Sequence, residues 1–531
     1  MGSKVKRNIF LQGSILAIAG IVSKMIGFIY RIPMANMLGK EGNGIYSVTF
    51  GVYNVVLTLS SYSLPLVVSK LVSERLARRE YQNSYRLFKG AIVFALLAGA
   101  IAAIFLFFGA NTIEQIYGTP GLEKPLKVMA PTVLLVAFLG VLRGYYQGCE
   151  TMIPTALSQI IEQVINAVVS VLGVWIFMRT YQYSADRSAY GAAGGTMGTL
   201  AGAFCALLFL TYVYVIYHHC IKTQNMHDRT KERESTAHII KALLYTMVPI
   251  IFSQTIYQIA YTLDDLIFSN MMSLKGFADD TIISLQGVFN SQYTLLINVP
   301  VAVATAMAAT IIPSIVVSQV QEREKEMHQK INTVIKFVMV IAAPSAVGLA
   351  VLATPIIHLL FPNLTEYNNT AVRLLEYGTI AIIFYSISTI TTAILQGLNE
   401  MKLPVYHVGV SLVIHIVLIM ILLKWTELRI YALLIGDITF PLIVCILNYI
   451  SIIRKTGFHL GLKGIFLLPC LSAGIMGVGT FLVYKFVIGV IALQLPSLVC
   501  AFLAAVGIYI YAIMKLKCFT KDELTMIGLH R

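Results

Sequence analysis

The sequence predicts an all-α polytopic membrane protein with 14 transmembrane helices, arranged as two six-helix lobes related by a parallel repeat plus two C-terminal helices. Three observations lead there. The 531 residues are 57% hydrophobic and 12% charged, whereas soluble chains are about 25% charged. The apolar residues fall in runs of about 20 or more, and a helical run of that length spans the hydrocarbon core of a bilayer. Two local patterns also recur about 249 residues apart. A transmembrane barrel would need strands of alternating polarity, and stretches such as Ala91 to Phe108 and Ile465 to Val483 do not alternate.

In chain order, the apolar segments of a first lobe (1–221) cover 8–36, 44–70, 88–110, 125–149, 154–178 and 190–220. The first begins on basic residues like a signal peptide, but Lys24 and Arg31 interrupt it and no small-residue cleavage site follows, so it reads as a retained helix. A polar stretch, 222–239, contains His227-Asp228-Arg229 and Lys231-Glu232-Arg233-Glu234 and reads as a cytoplasmic linker between the lobes. The second lobe (240–453) carries segments at 240–270, 280–318, 332–357, 370–397, 403–424 and 430–452. Two further segments, 463–485 and 492–515, belong to the final portion, 454–531, which ends in a cytoplasmic tail.

The repeat rests on two pairs of patterns. Leu64-Pro65-Leu66-Val67-Val68-Ser69 before Glu74 resembles Ile312-Pro313-Ser314-Ile315-Val316-Val317-Ser318 before Glu322, and Gln147-Gly148 with Pro154 resembles Gln396-Gly397 with Pro404. Each pair falls at equivalent segments. A repeat of six helices preserves orientation, so the lobes should be related by an axis along the membrane normal, with the site between them.

The net charge of +14 is explained by topology and requires no nucleic acid. With both termini on one side, that side holds 27 Lys and Arg against ten on the other, which places both termini in the cytoplasm. The seven cysteines lie in or beside apolar segments without paired spacing and read as small core residues, neither disulfides nor metal ligands. No phosphate-binding loop, nucleophile elbow, dinucleotide glycine signature or zinc-protease motif is present. These absences and the short outer loops argue against an enzyme.

Ionisable groups within hydrocarbon cost about 2.5–3.5 kcal/mol each and are functional candidates by default. Lys24 and Arg31 stand seven residues apart in the first segment, two turns along one face, where a pair of cations suits an anion. The bland alternative is snorkelling, easier for Arg31 than for Lys24. Thr155, Gln159, Glu162, Asn166 and Ser170 form a polar stripe in segment 5; it lines a cavity or forms interhelical hydrogen bonds. Gln254 and Gln258 continue this design in segment 7, and Asn54 in segment 2 joins the substrate-binding candidates. Asp264 and Asp265 are candidates for coupling Na⁺ or H⁺, with Asp437 weaker in the same role, unless they lie solvated near the outer interface. His358 and His415 are isolated and read as structural.

Ser23-Lys24-Met25-Ile26-Gly27-Phe28 with Arg31, then Leu38-Gly39 and Gly42 before Tyr46, resembles the start of the MurJ and SpoVB type of polysaccharide-lipid flippases of the MOP superfamily. Arg143-Gly144-Tyr145-Tyr146-Gln147-Gly148, Met152, Pro154-Thr155-Ala156, Ser158-Gln159 and Glu162-Gln163 are similar to that family's fourth loop and fifth helix, and Pro300 with Ala302, Ala304, Ala306 and Ile312-Pro313 to its eighth helix. The resemblance implies two lobes around a V-shaped cavity that alternates between membrane faces, with the last two helices extending a groove for a lipid tail. It implies as substrate an undecaprenyl-pyrophosphate-linked sugar such as lipid II, with Lys24 and Arg31 on the pyrophosphate. It also implies a bacterial plasma-membrane location, with membrane lipids and cell-wall synthesis proteins as partners. No Arg lies between Tyr46 and Ser69 or between Ile282 and Ser318, so the cavity is less basic than in Gram-negative members, which favours the Gram-positive branch. The competing expectations are a MATE-like cation-coupled drug exporter, which would have an acidic cavity, and an enzyme acting on lipid-linked sugars.

Overall fold

The computed structural model describes residues 2–61, 63–149, 151–224, 233–305, 324–364, 367–398, 400, 402–457, 461 and 463–518, with the side chains of 2–18, 21, 77, 217–224, 236, 248–250 and 252–261 outside that description. Among the described residues every regular element is helical. Eleven helices are long and apolar enough to cross a membrane, and the first of these, Val22–Leu76, covers both of the first two segments expected from the sequence.

That merger has a local cause. Helix α1 (Gly2–Ser60) consists of two helices that meet at Gly39, whose φ of 71° and ψ of −176° turn the chain without an intervening loop. This region of backbone space is essentially restricted to glycine. Gly39→Ala is therefore expected to cost about 1–3 kcal/mol and to lower the thermal midpoint in detergent; an unchanged midpoint would contradict a strained turn at this position. Helix α2 (Leu64–Ala77) follows, where Pro65 sits in the first turn, a place where its missing N–H costs nothing.

The next helices are α3 (Tyr81–Tyr117), α4 (Glu123–Gly148), α5 (Ile153–Thr180), α6 (Arg187–Gln224), α7 (Thr236–Leu274) and α8 (Asp279–Val288). Helix α8 runs on through a π turn, Phe289–Tyr293, to residue 305. After it come α9 (Glu324–Val351), α10 (Ala353–Leu360), α11 (Asn368–Gly378), α12 (Ile380–Gly397), α13 (Lys402–Trp425), α14 (Ile430–Thr456), α15 (Leu468–Ile491) and α16 (Gln494–Lys515). The chain forms two compact units, Met1–Gly287 and Val288–Arg531.

In the first unit, glycines allow helices to approach closely. A β-carbon at Gly144 would meet the Pro65 carbonyl at 2.6 Å, and one at Gly148 would meet Val72 at 2.7 Å, so α4 lies directly against α2. Helix α6 meets α5 along Gly194, Gly198 and Gly202, where any β-carbon would strike the main chain of Gly173, Asn166 or Glu162. Small residues at four-residue spacing are the usual means of close packing in membranes, where no hydrophobic effect drives helices together.

The start of α7 is anchored to this unit. Arg75 is buried and donates from Nη2 and Nε to Glu234 Oε2 at 2.6 and 3.1 Å, while Arg86 Nη1 donates to the Glu234 carbonyl at 2.9 Å. Ser235 caps α7 by accepting from the His238 N–H. Ile239, Leu243 and Met247 then join Leu64, Val68 and Phe88 in one apolar core. The expected linker 222–239 is thus tied down at its C-terminal end, and 225–232 lie outside the described residues.

In the second unit, one core joins Ile335, Met339, Ile390, Ile394 and Cys445 with Met476 and Tyr509. The paired motifs at 147 and 396 adopt the same turn. Helices α4 and α12 end at Gly148 and Gly397, the N–H of Cys149 and of Leu398 donates four residues back, and Thr151 and Glu400 each donate five residues back. The other pair cannot be compared, because 306–323 lie outside the described residues. Of the cysteines, Cys445 and Cys518 are buried as expected, but Cys470 and Cys500 are exposed on apolar helices.

Candidate functional site

Helix 1 presents its two cations differently. Lys24 is exposed, and Arg31 is half-buried with its guanidinium 5.8 Å from the Phe50 ring centroid, close to Tyr30 and Tyr46. Neither makes an ion pair among the described residues. Tyr46 is itself buried.

The polar stripe of α5 runs along α1. Asn166 Nδ2 donates to the Tyr30 hydroxyl at 3.4 Å and accepts at Oδ1 from Ser170, whose hydroxyl also reaches the Gly195 carbonyl at 2.7 Å. Thr155 Oγ1 reaches the Arg143 carbonyl, and Ser158 Oγ donates to Thr155 O. Much of the stripe is thus the interhelical network that was the alternative to a cavity wall. Gln159 differs, since its buried Oε1 has no partner among the described residues. Asn54, half-buried in the second part of α1, has no side-chain hydrogen bond among the described residues.

Glu162 is in a third situation. Its Oε2 is 2.6 Å from Arg143 Nη2, with the two side chains 18% and 14% exposed. Arg143 Nε also donates to Ser158 Oγ at 2.9 Å. Arg143, counted among the loop charges from sequence, lies inside α4 and faces α5. The clue available beforehand was that it stands five residues before the end of an apolar segment, with the next segment carrying a lone carboxylate.

Gln254 and Gln258 lie on α7, and their side chains are outside the described residues. Asp265 is buried and Asp264 half-buried, and both take part in polar interactions. Around them, Gln286 Nε2 donates to the Asp265 carbonyl at 2.8 Å, and Thr262 Oγ1 reaches the Gly51 carbonyl. The buried location does not match the solvated interface alternative for Asp265. Within the second unit, Asp437 accepts from the Tyr293 and Tyr385 hydroxyls, each at 2.7 Å. His415 is a satisfied core histidine, its Nδ1 3.1 Å from the Gly436 carbonyl, whereas His358 is exposed.

Among the described residues every regular element is helical and eleven helices are candidate spans, which makes the chain a multi-pass membrane protein. It belongs to the polysaccharide biosynthesis protein family, whose pattern it matches over residues 10–319. Residues 249–421 also match the MatE family. Over 98% of its length the chain is 24% identical to stage V sporulation protein B of Bacillus subtilis (strain 168), covering 97% of that protein. It is 25% identical over 80% of its length to the lipid II flippase MurJ of the same strain, covering 78% of it. Among solved structures, the lipid II flippase MurJ in an inward closed conformation superposes with a TM-score of 0.67 at 16% identity, over 94% of this chain and 97% of that one. An inward-facing multidrug resistance MATE transporter superposes with a TM-score of 0.65 at 14% identity, over 82% and 96%. Both share the fold.

Proposed function

We propose that the protein carries an undecaprenyl-pyrophosphate-linked sugar, such as the peptidoglycan precursor lipid II, from the cytoplasmic to the outer leaflet by alternating access. The observation that carries this reading is the pair of cations, Lys24 and Arg31, neither in an ion pair among the described residues, on the first helix of a chain in the polysaccharide biosynthesis protein family. The named activity of the MurJ relative supports it. An anionic headgroup crossing hydrocarbon needs fixed cations to replace its hydration, since an unpaired buried charge is prohibitively expensive. Asn54, Gln159 and Asn166 supply neutral polar groups to the same path, with Glu162 in its wall.

No covalent bond is made or broken, so the protein is not an enzyme and needs no catalytic residue. Cation binding at Asp264 and Asp265, with Na⁺ or H⁺, returns the carrier to its inward-open state. The excess of 27 over ten basic residues sets both termini in the cytoplasm of a bacterial plasma membrane. Membrane lipids surround the protein, and cell-wall synthesis proteins are its functional partners.

The MatE match over 249–421 favours one second reading, a cation-coupled drug exporter. Wild-type protein in proteoliposomes separates the two. Movement of lipid II without movement of a fluorescent cationic dye is expected; dye movement without lipid II movement would assign the chain to the exporters.

A further inference from the structure

A carboxylate beside a diphosphate site works against it, and Glu162 is placed to do so. The packing register shows how close it comes. Asn166 contacts Tyr30, and a β-carbon at Gly27 would stand 3.7 Å from Gln163 Oε1, so facing positions on α5 and α1 differ by 136 residues. By that register Glu162 is level with residue 26, about 3 Å along the axis from Lys24. Packed helices lie 8–10 Å apart, within the combined reach of a glutamate and a lysine side chain. Lys24 is also on the correct side of α1, since 24, 27 and 31 share a face adjoining that seam. Yet Lys24 makes no ion pair among the described residues, and the Glu162 carboxylate is turned away to Arg143.

We propose that Arg143 is a positioning residue for the anion site on α1. By holding Glu162, it prevents that carboxylate from neutralising Lys24 and leaves the two helix 1 cations available to a diphosphate. Ser158 fixes the guanidinium from its other side through Nε, which directs Nη2 at Glu162. Arg143 thereby serves the substrate without touching it. This inference rests on Lys24 and Arg31 being the diphosphate site.

The test uses the full chain in detergent, with undecaprenyl diphosphate as the probe, and reads both its affinity and the acylation rate of Lys24. Arg143→Gln is expected to weaken binding about tenfold and to slow Lys24 acylation, because the released carboxylate pairs with the amine. Glu162→Gln should tighten binding several-fold, since it removes the carboxylate and frees a cation. The double variant should return to within about threefold of wild type in both readouts, because the charge imbalance is gone. Arg143→Lys should also stay within about threefold, as it keeps the charge while losing the bond to Ser158. A purely bracing role would fail in Arg143→Lys and would give no separate change in Lys24 acylation.

Weakened binding in Glu162→Gln, or a double variant as poor as Arg143→Gln, would overturn the proposal while leaving the helix 1 site intact. Wild-type affinity in Lys24→Ala, Arg31→Ala would instead overturn the anion-site reading, and the proposal with it.

Discussion

The Lys24→Ala, Arg31→Ala double variant is expected to lose lipid II translocation by roughly 100-fold or more. Each cation that contacts a phosphate oxygen contributes a charge-assisted hydrogen bond of about 1.5–3 kcal/mol, and 1.4 kcal/mol corresponds to a factor of ten. Two such contacts therefore account for at least two orders of magnitude. Stability should change far less. Lys24 is exposed and makes no ion pair among the described residues, and Arg31 contributes mainly its approach to the Phe50 ring, worth about 0.5–1 kcal/mol at a partly exposed site. A thermal midpoint close to wild type alongside lost transport would separate a binding defect from a folding defect. Transport at the wild-type rate would remove the cations from the mechanism.

The single variants should also differ. Lys24 is a flexible point charge, whereas Arg31 is a planar fork seated near Tyr30 and Tyr46. Arg31→Lys should retain less transport than Lys24→Arg, because a guanidinium can grip two phosphate oxygens while an ammonium at the same position cannot. Rates of lipid II movement in proteoliposomes would rank them.

The class of fold was legible because membrane insertion imposes a coarse rule that composition obeys: long apolar runs must be helices, since lipid offers no partner for open backbone. The turn shared by Gly148 and Gly397 was legible for a related reason, as glycine followed by proline ends one helix and starts the next. Single-residue geometry was not. Gly39 reads as ordinary glycine in a motif, and only its positive φ reveals a sharp turn where a loop was expected between two segments. The polar stripe on α5 was visible by spacing, but its partners lie on three other helices. Period alone cannot separate Asn166, which bonds to Tyr30, from Gln159, whose carbonyl has no partner among the described residues. Glu162 shows the same limit, because the residue that neutralises it precedes it by 19 positions across a turn.

Gly198→Val is expected to have a large effect on stability in the first unit. A β-carbon there would collide with Ser170 Oγ and stand 2.5 Å from the Asn166 carbonyl and 2.6 Å from the Ser170 nitrogen. A rotating side chain could yield, but main chain inside a helix cannot, so α6 must move away from α5. That movement breaks the Ser170 hydrogen bond to Gly195 and leaves buried polar groups unpaired, at about 1–3 kcal/mol each. Overpacking itself costs about 1–3 kcal/mol. Even Gly198→Ala should lower the thermal midpoint in detergent, and the valine variant should scarcely accumulate in membranes. Gly409 provides the control, since a β-carbon there meets nothing within 4 Å; Gly409→Ala should be neutral or stabilising by up to about 1 kcal/mol. Equal behaviour of the two alanine variants would mean that the small-residue seam does not hold α5 in place. If the seam does hold it, the register that brings Glu162 level with Lys24 depends on three glycines of α6.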